Sequence, residues 1–217
     1  MSSKSIFYQS PRLYIWGLKH IHGADFDKRY RFMASFAKNN DSVLEPACGP
    51  AILVDYLPPS VNYYGFDTND RFVKYAQSRG VNASVGNVLD QNNYKPADVV
   101  VVCDILHHLK PADRSVFIKY CYQSAKKYLV ICDPVVKPEP NYLKNTWDSL
   151  MFAIAEQDGV NQPKREECYT RERLVKEAND GFGVIEDRKE LVITEIGEDL
   201  IIVYQKQQLL DSPVEAI

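Results

Sequence analysis

Apolar and polar positions along this chain change period several times, and each change marks an element. The clearest run is Ala97-Asp98-Val99-Val100-Val101-Val102-Cys103-Asp104. Its unbroken β-branched character predicts a central strand of a parallel sheet, covered on both faces. Shorter strand-like runs lie at Val43–Glu45, Val61–Asp67 and Tyr128–Asp133, and Asn82–Asp90 reads as a strand with its exit loop. Between them apolar residues recur at helical spacing, with Phe72, Val73 and Ala76 on one face and Pro111 opening a helix through Phe117 and Tyr120. Strands alternating with helices predict an α/β doubly wound sheet. Val184 to Thr194 and Leu200–Tyr204 read as an antiparallel pair that closes it.

The front of the chain is less regular. Residues 1–23 hold Phe7, Tyr8, Tyr14 and Trp16 without clear periodicity, and Pro11 and Gly17 read as breakers. From Ala24 to Lys38 the pattern is helical, with Phe26, Tyr30, Met33 and Ala37 three and four apart. Residues 135–168 form a long insertion, with Pro138, Pro140 and Pro163 around an amphipathic helix carrying Leu143, Trp147, Leu150, Met151 and Ile154. A helix is expected from Tyr169 to Ala178, with Thr170 as its N-cap. The expected organisation is a cap at 1–40, an α/β domain at 41–206 that contains the insertion, and a polar tail at 207–217.

Composition changes this picture little. An apolar share of 45%, a charged share of 25% and a formal charge of −3 describe an ordinary globule. No stretch approaches the ~20 apolar residues of a membrane span, and the first residues lack the apolar core of a signal peptide. A cytoplasmic protein without a membrane partner is the expectation. Cys48, Cys103, Cys121, Cys132 and Cys168 include no C-x-x-C pair and read as buried reduced thiols. His20 and His22 have no suitably spaced carboxylate or cysteine, so they read as surface residues and no metal site is expected. Charge is uneven: residues 1–40 hold seven Lys/Arg against two Asp/Glu, a balance of +5 that leaves −8 for the rest. A basic front end fits either an anionic substrate or a solvated face.

Candidate chemistry centres on Val43-Leu44-Glu45-Pro46-Ala47-Cys48-Gly49-Pro50-Ala51. A strand, an acid and a turn of small residues let backbone N–H groups approach a nucleotide-like ligand closely. Asp67 follows Glu45 by 22 residues, near the ~20 that separate such a turn from a ribose-binding acid. An equally available role for Asp67 is to cap the helix that starts near Asn69. The glycines of a dinucleotide fingerprint are missing, since only Gly49 stands between Ala47 and Ala51.

Acid, small residue, glycine and small residue in this order resemble motif I of the class I S-adenosylmethionine-dependent methyltransferases. That motif commonly has three glycines, and two positions here are alanine. The family resemblance implies a Rossmann-like, seven-stranded, mostly parallel sheet with a terminal antiparallel pair, an N-terminal helical cap and a helical insertion before the sixth strand. It implies S-adenosylmethionine as cofactor, held by Glu45, Ala47, Cys48, Gly49, Asp67, Thr68, Asn87, Val88, Asp104, Ile105 and Leu106. Asn87 stands where the family places an acid on the adenine amino group, and its amide can serve instead.

The resemblance is most specific at Leu106-His107-His108-Leu109, a post-strand signature of small-molecule methyltransferases. Some of these use a histidine there as a base, which makes His108 the first catalytic candidate and His107 the second. Packing or capping of the next helix is the competing role for both histidines. Tyr8 and Tyr14 of the cap, Asp133, and Trp147 and Met151 of the insertion are candidate acceptor contacts, with core packing as the competing role for the aromatic ones. An amino-methylating enzyme of DNA or RNA would carry Asn- or Asp-Pro-Pro-aromatic where this chain has Cys103-Asp104-Ile105-Leu106. Lys137–Glu167 holds four basic and six acidic residues, a poor phosphate-binding surface. The expected activity is therefore methyl transfer to a small-molecule acceptor, such as a hydroxyl. Action on RNA or protein, or a non-catalytic nucleoside-binding scaffold, are the alternatives. Oligomeric state is not legible.

Overall fold

The computed structural model describes residues 5–135, 170–181 and 188–206. Trp147, Met151, Cys168 and the rest of the insertion lie outside the described residues. The sheet consists of β1 (Ser42–Pro46), β2 (Asn62–Asp67), β3 (Ala83–Val85), β4 (Ala97–Cys103), β5 (Ala125–Pro134), β6 (Arg188–Ile196) and β7 (Asp199–Lys206). Its order is β3-β2-β1-β4-β5-β7-β6. The first five strands are parallel, and β7 runs antiparallel to both β5 and β6. This is the doubly wound layout that the pattern predicts, with its crevice beyond the carboxyl ends of the strands.

Strand β4 explains the unbroken apolar run. Val99, Val101 and Cys103 face one layer with Phe26, Tyr30 and Met33. Val100 and Val102 face the other, with Phe117, Ile118, Leu174 and Ala178. Both faces are dry, so alternation between apolar and polar residues has no place in this strand. The helices behind those names are α3 (Asp25–Ala34), α5 (Pro111–Ser124) and α6 (Arg171–Gly181). Thr170 caps α6 as expected, its Oγ1 accepting from Arg173 N at 3.3 Å.

The front end is more regular than its sequence. It contains α1 (Ile6–Gln9) and α2 (Pro11–His22), and neither presumed breaker breaks it. Pro11 takes the first position of α2, where a missing N–H costs nothing, and the Ser10 side chain caps it. Gly17 is buried within α2; a Cβ there would stand 3.0 Å from the Phe7 ring of α1, so glycine permits the close crossing. The segment after the small-residue turn is short. Ile52–Tyr56 makes only a short 3-10 helix before Pro58 and Pro59 end it. Helix α4 (Asp70–Ser78) follows β2, with Asn69 as its N-cap. No helix among the described residues is long and apolar enough to cross a membrane.

Arg29 of α3 ties these layers together. It is fully buried. Its guanidinium donates to Asp199 at the start of β7 (2.8 Å), to Cys103 Sγ (3.2 Å) and to Asp104 just past β4. His22 at the end of α2 accepts from Arg29 through Nε2 at 3.0 Å and presents Nδ1 to Asp199 at 3.3 Å. His22 is thus part of a buried polar network and not the surface residue its H-x-H context suggested. Burial alone would raise the Asp199 carboxyl; the hydrogen bond from His22 and the Arg29 charge bring it below the usual range. Arg29→Met would leave Asp104 and Asp199 without their cation. It should lower unfolding stability by about 3–5 kcal/mol in urea titrations. A loss under about 1 kcal/mol would mean that other groups hold these carboxylates.

Candidate active site

A cavity of about 300 Å³ lies across the carboxyl ends of β3, β2, β1 and β4, under the cap. Each strand end contributes its own group to the wall. Asn87, Val88 and Leu89 come from the end of β3 and its exit, Asp67, Thr68 and Asn69 from that of β2, Glu45 and Ala47–Pro50 from that of β1, and Cys103, Asp104 and Ile105 from that of β4. Tyr8, Tyr14 and Tyr30 come from the cap, and Phe72 from α4. Strand ends gather in this way because parallel pairing aligns their carboxyl termini at one edge.

The turn after β1 has the backbone of a glycine-rich loop without its glycines. Ala47, Gly49 and Ala51 have φ of 56°, 53° and 56°, all in the left-handed region. Only Gly49 adopts that region without a Cβ penalty; each alanine costs roughly 1–2 kcal/mol. The gain is a cradle of small side chains. Gly65 on β2 completes it from beneath, since a Cβ there would stand 2.8 Å from Cys48 Cβ and would also meet the Tyr63 hydroxyl. The Cys48 thiol is buried and pushed up in pKa by that burial, so it stays protonated.

Asp67 stitches the turn to the next strand. Its carboxylate accepts from Gly49 N at 2.8 Å and from Asn69 N at 2.7 Å. Helix α4 is capped by Asn69 itself, whose side chain accepts from Arg71 N at 3.2 Å. Glu45 lies deeper, almost fully buried, and accepts from the Tyr63 hydroxyl. Burial pushes its carboxyl up to about 8 against that hydrogen bond, and the charges of Asp67 and Asp104 add to the rise. Asn87 is exposed, and its side-chain oxygen accepts from Leu89 N at 2.9 Å in a local turn. Asp90 caps the 3-10 turn Gln91–Asn93 and lies off the cavity wall.

Beyond β4 the chain makes a sharp bend at Asp104, whose φ is 54°. Its carboxylate is ion-paired with Arg29 and still borders the cavity. The histidine pair that follows is divided. His107 turns inward, with Nδ1 2.8 Å from Asp133 Oδ1, while Asp133 Oδ2 accepts from Ile105 N and Leu106 N at 3.2 and 2.9 Å. Asp133 is therefore a buried anchor for the loop, Leu106 sits in the core, and neither borders the cavity. His108 does border it, with Nε2 3.4 Å from the Tyr8 hydroxyl. The Tyr8 and Tyr14 rings are 5.5 Å apart, and Tyr14 lies 4.9 Å from Phe72, forming an aromatic wall beside the turn.

Several site residues escaped the sequence reading. Tyr30 and Phe72 were assigned only to apolar helix faces, yet both border the cavity. Arg29 had a signal: positions 26, 29, 30 and 33 share one face of α3, so its charge lies inside an apolar stripe. Tyr63 partners Glu45 across neighbouring strands in a way that no sequence spacing announces. Among the described residues no cluster of His, Cys, Asp or Glu could hold a metal ion.

Two consequences are measurable. Ala47→Gly should raise stability by about 0.5–1 kcal/mol, because relief of the left-handed strain exceeds glycine's extra freedom in the unfolded chain. A lower melting temperature for this variant would show that the turn is not strained. Glu45 ionises near 4.5 when unfolded and near 8 when folded, so folding takes up a proton between those values. Its contribution is fully present below pH 4.5 and is lost as pH rises toward about 8. Glu45→Gln should remove that loss, gaining more than about 2 kcal/mol relative to the parent between pH 5 and pH 8. Parallel stability profiles for the two proteins would contradict the burial argument.

A family model described as a methyltransferase domain matches residues 44–130. No curated protein matches the sequence significantly. Among solved structures, human N-acetylserotonin methyltransferase in complex with SAM aligns with a TM-score of 0.63 at 13% identity, covering 93% of this chain. An O-methyltransferase family protein from Burkholderia thailandensis aligns with a TM-score of 0.66 at 14% identity over 94% of this chain. This chain spans 58% and 62% of the length of those two proteins. A TehB-like SAM-dependent methyltransferase from Corynebacterium glutamicum aligns with a TM-score of 0.62 at 14% identity, covering 91% of this chain and 98% of its own. Such identities establish a shared fold. The segment that the family model matches is less than half of the chain; it supplies the strand-end part of the cavity wall, and Tyr8, Tyr14 and Tyr30 of the cap line the cavity from outside it.

Proposed function

We propose that this chain transfers a methyl group from S-adenosylmethionine to a hydroxyl of a small-molecule acceptor, with His108 as general base. The observation that carries this reading is the division within the histidine pair. His107 is fixed on buried Asp133, while His108 meets the cavity beside Tyr8. The cavity also fits the cofactor chemically. Its left-handed small-residue turn offers a cradle that larger side chains would fill, and Asp67 stands on the wall at the end of β2, where a carboxylate meets a ribose diol. Glu45, Ala47, Cys48, Gly49, Thr68, Asn87, Val88, Asp104 and Ile105 would complete the contacts, with Leu106 supporting Ile105 from the core. When bound, S-adenosylmethionine supplies an electrophilic methyl group on a sulfonium.

The chain's own residues would then do three things. The strand-end carboxylates and the small-residue turn hold donor and acceptor in a near-attack arrangement, which accounts for much of the catalytic effect in such displacements. Tyr8, Tyr14 and Phe72 exclude water from the base. His108 takes the acceptor's proton, and the Tyr8 hydroxyl beside Nε2 orients the ring. Trp147 and Met151 remain proposed acceptor contacts from the insertion. The divided histidines favour a small acceptor over RNA or protein, because a base enclosed by cap aromatics is reached by a compact molecule.

His108→Ala should lose about 10²–10⁴ in turnover with cofactor affinity unchanged. His107→Ala should instead act through loop stability, since it unpairs Asp133. Full turnover in the His108 variant would leave positioning as the whole mechanism. Loss of cofactor binding as well would indicate a collapsed site, and a parent protein that binds no S-adenosylmethionine in calorimetry would favour the scaffold reading.

A further inference from the structure

Tyr30 of α3 is a donor without a partner among the described residues. It is 4% exposed, it borders the cavity, and no described residue hydrogen-bonds its hydroxyl. Its ring is held by Tyr56 stacked at 5.3 Å, by Phe26 at 5.1 Å and by the Arg29 guanidinium at 5.1 Å. A side chain so fixed keeps its hydroxyl where the cavity, and not another residue, can meet it. Burial, and next the neighbouring Cys103, push the phenol up, so it remains a donor throughout the working pH range. Phenylalanine would fill the same core without desolvating a hydroxyl, and buried tyrosine hydroxyls ordinarily find a partner.

The place of Tyr30 within the cavity indicates what that partner is. The wall runs in strand order from Asn87 at β3, through Asp67 at β2 and Glu45 at β1, to Asp104 at β4. A nucleoside whose ribose meets Asp67 lies toward β2 and β3, so the remainder of the ligand extends toward β1 and β4. Tyr30 packs at that end, in one cluster with Val43, Ile52, Val99 and Cys103. The methionine arm of S-adenosylmethionine ends in an ammonium and a carboxylate. Asp104 offers an acceptor to the ammonium. The carboxylate needs donors; Arg29, next to Tyr30, is fully buried and engaged by Asp104 and Asp199, and the cation on the wall itself, Lys110, follows the histidine pair rather than lying beside Tyr30.

We propose that the Tyr30 hydroxyl donates a hydrogen bond to the α-carboxylate of the cofactor's methionine arm. The assignment rests on the reading that S-adenosylmethionine binds in this cavity. It makes α3 a cofactor-binding element and gives the cap a direct hold on the ligand. Arg29, one residue earlier, is then a positioning residue that fixes both the Tyr30 ring and the Asp104 carboxylate.

The test is a binding cycle by titration calorimetry on the whole chain, with three ligands and two proteins. The ligands are S-adenosylhomocysteine, S-adenosylmethionine and 5′-methylthioadenosine, which lacks the amino-acid arm. Tyr30→Phe should weaken the first two by about ten- to hundredfold, as expected for a lost hydrogen bond to a charged group. It should leave 5′-methylthioadenosine unchanged. Equal weakening of all three ligands, or of none, overturns the assignment. Decarboxylated S-adenosylmethionine gives the same answer from the ligand's side. The parent should bind it more weakly than S-adenosylmethionine, and the parent binding both equally would also overturn the proposal. A parent that binds 5′-methylthioadenosine but gains nothing from the arm refutes Tyr30 alone. A parent that binds none of the ligands refutes the cofactor reading beneath it.

Discussion

A fully buried arginine facing two carboxylates is the constraint around which this molecule is arranged. Arg29 comes from the cap, Asp104 from the bend after β4, and Asp199 from the turn that starts β7. Taking any one of these charges out of water alone would be prohibitive; together, and with His22 as a further partner, they neutralise one another. The cap can therefore seat only where Asp104 and Asp199 already stand side by side. That geometry requires β4 and β7 both to flank β5 in the finished sheet. Cap, sheet and hairpin are thus coupled electrostatically as well as by the apolar contacts of α3.

The same network shapes the cavity. Asp104 adopts a left-handed bend and presents its carboxylate to the wall while Arg29 holds it from behind. Glu45, between Asp67 and Asp104, has no cation of its own among the described residues and is driven toward its neutral form. The turn after β1 accepts two alanines in a conformation that suits glycine, and the Asp67 carboxylate holds that turn through Gly49. Strain and unfavourable charge are concentrated at the ligand site, while β4, β5 and β7 supply the apolar burial that supports it.

The short 3-10 turn at Ile52–Tyr56 bears on how the site works. It contributes little helix dipole toward the cavity. In the proposed reading, recognition there would fall to side-chain carboxylates, backbone N–H groups and the cap's aromatic residues. Tyr8, Tyr14 and Tyr30 of the cap line the cavity where a longer helix after β1 would present its N-terminus.

Much of this was legible in the sequence. Unbroken β-branched runs, helical periodicity and the order of strand ends determined the doubly wound sheet and its closing antiparallel pair. Local chemistry also marked Glu45, Asp67, Asp104 and His108, because an acid or histidine just past a parallel strand falls at the crevice whatever the packing. Pro11 and Gly17 misled, since their effect depends on position within a helix and on the Phe7 ring, not on residue type. Only the tertiary structure decided which histidine meets the cavity, because adjacent residues diverge according to a buried partner, Asp133, lying 26 residues away from His107. Only it joined Arg29 to Asp199 across 170 residues and left the Tyr30 hydroxyl at the wall. Periodicity records which face of an element is buried; it carries no information on which distant charge or hydroxyl that face will meet.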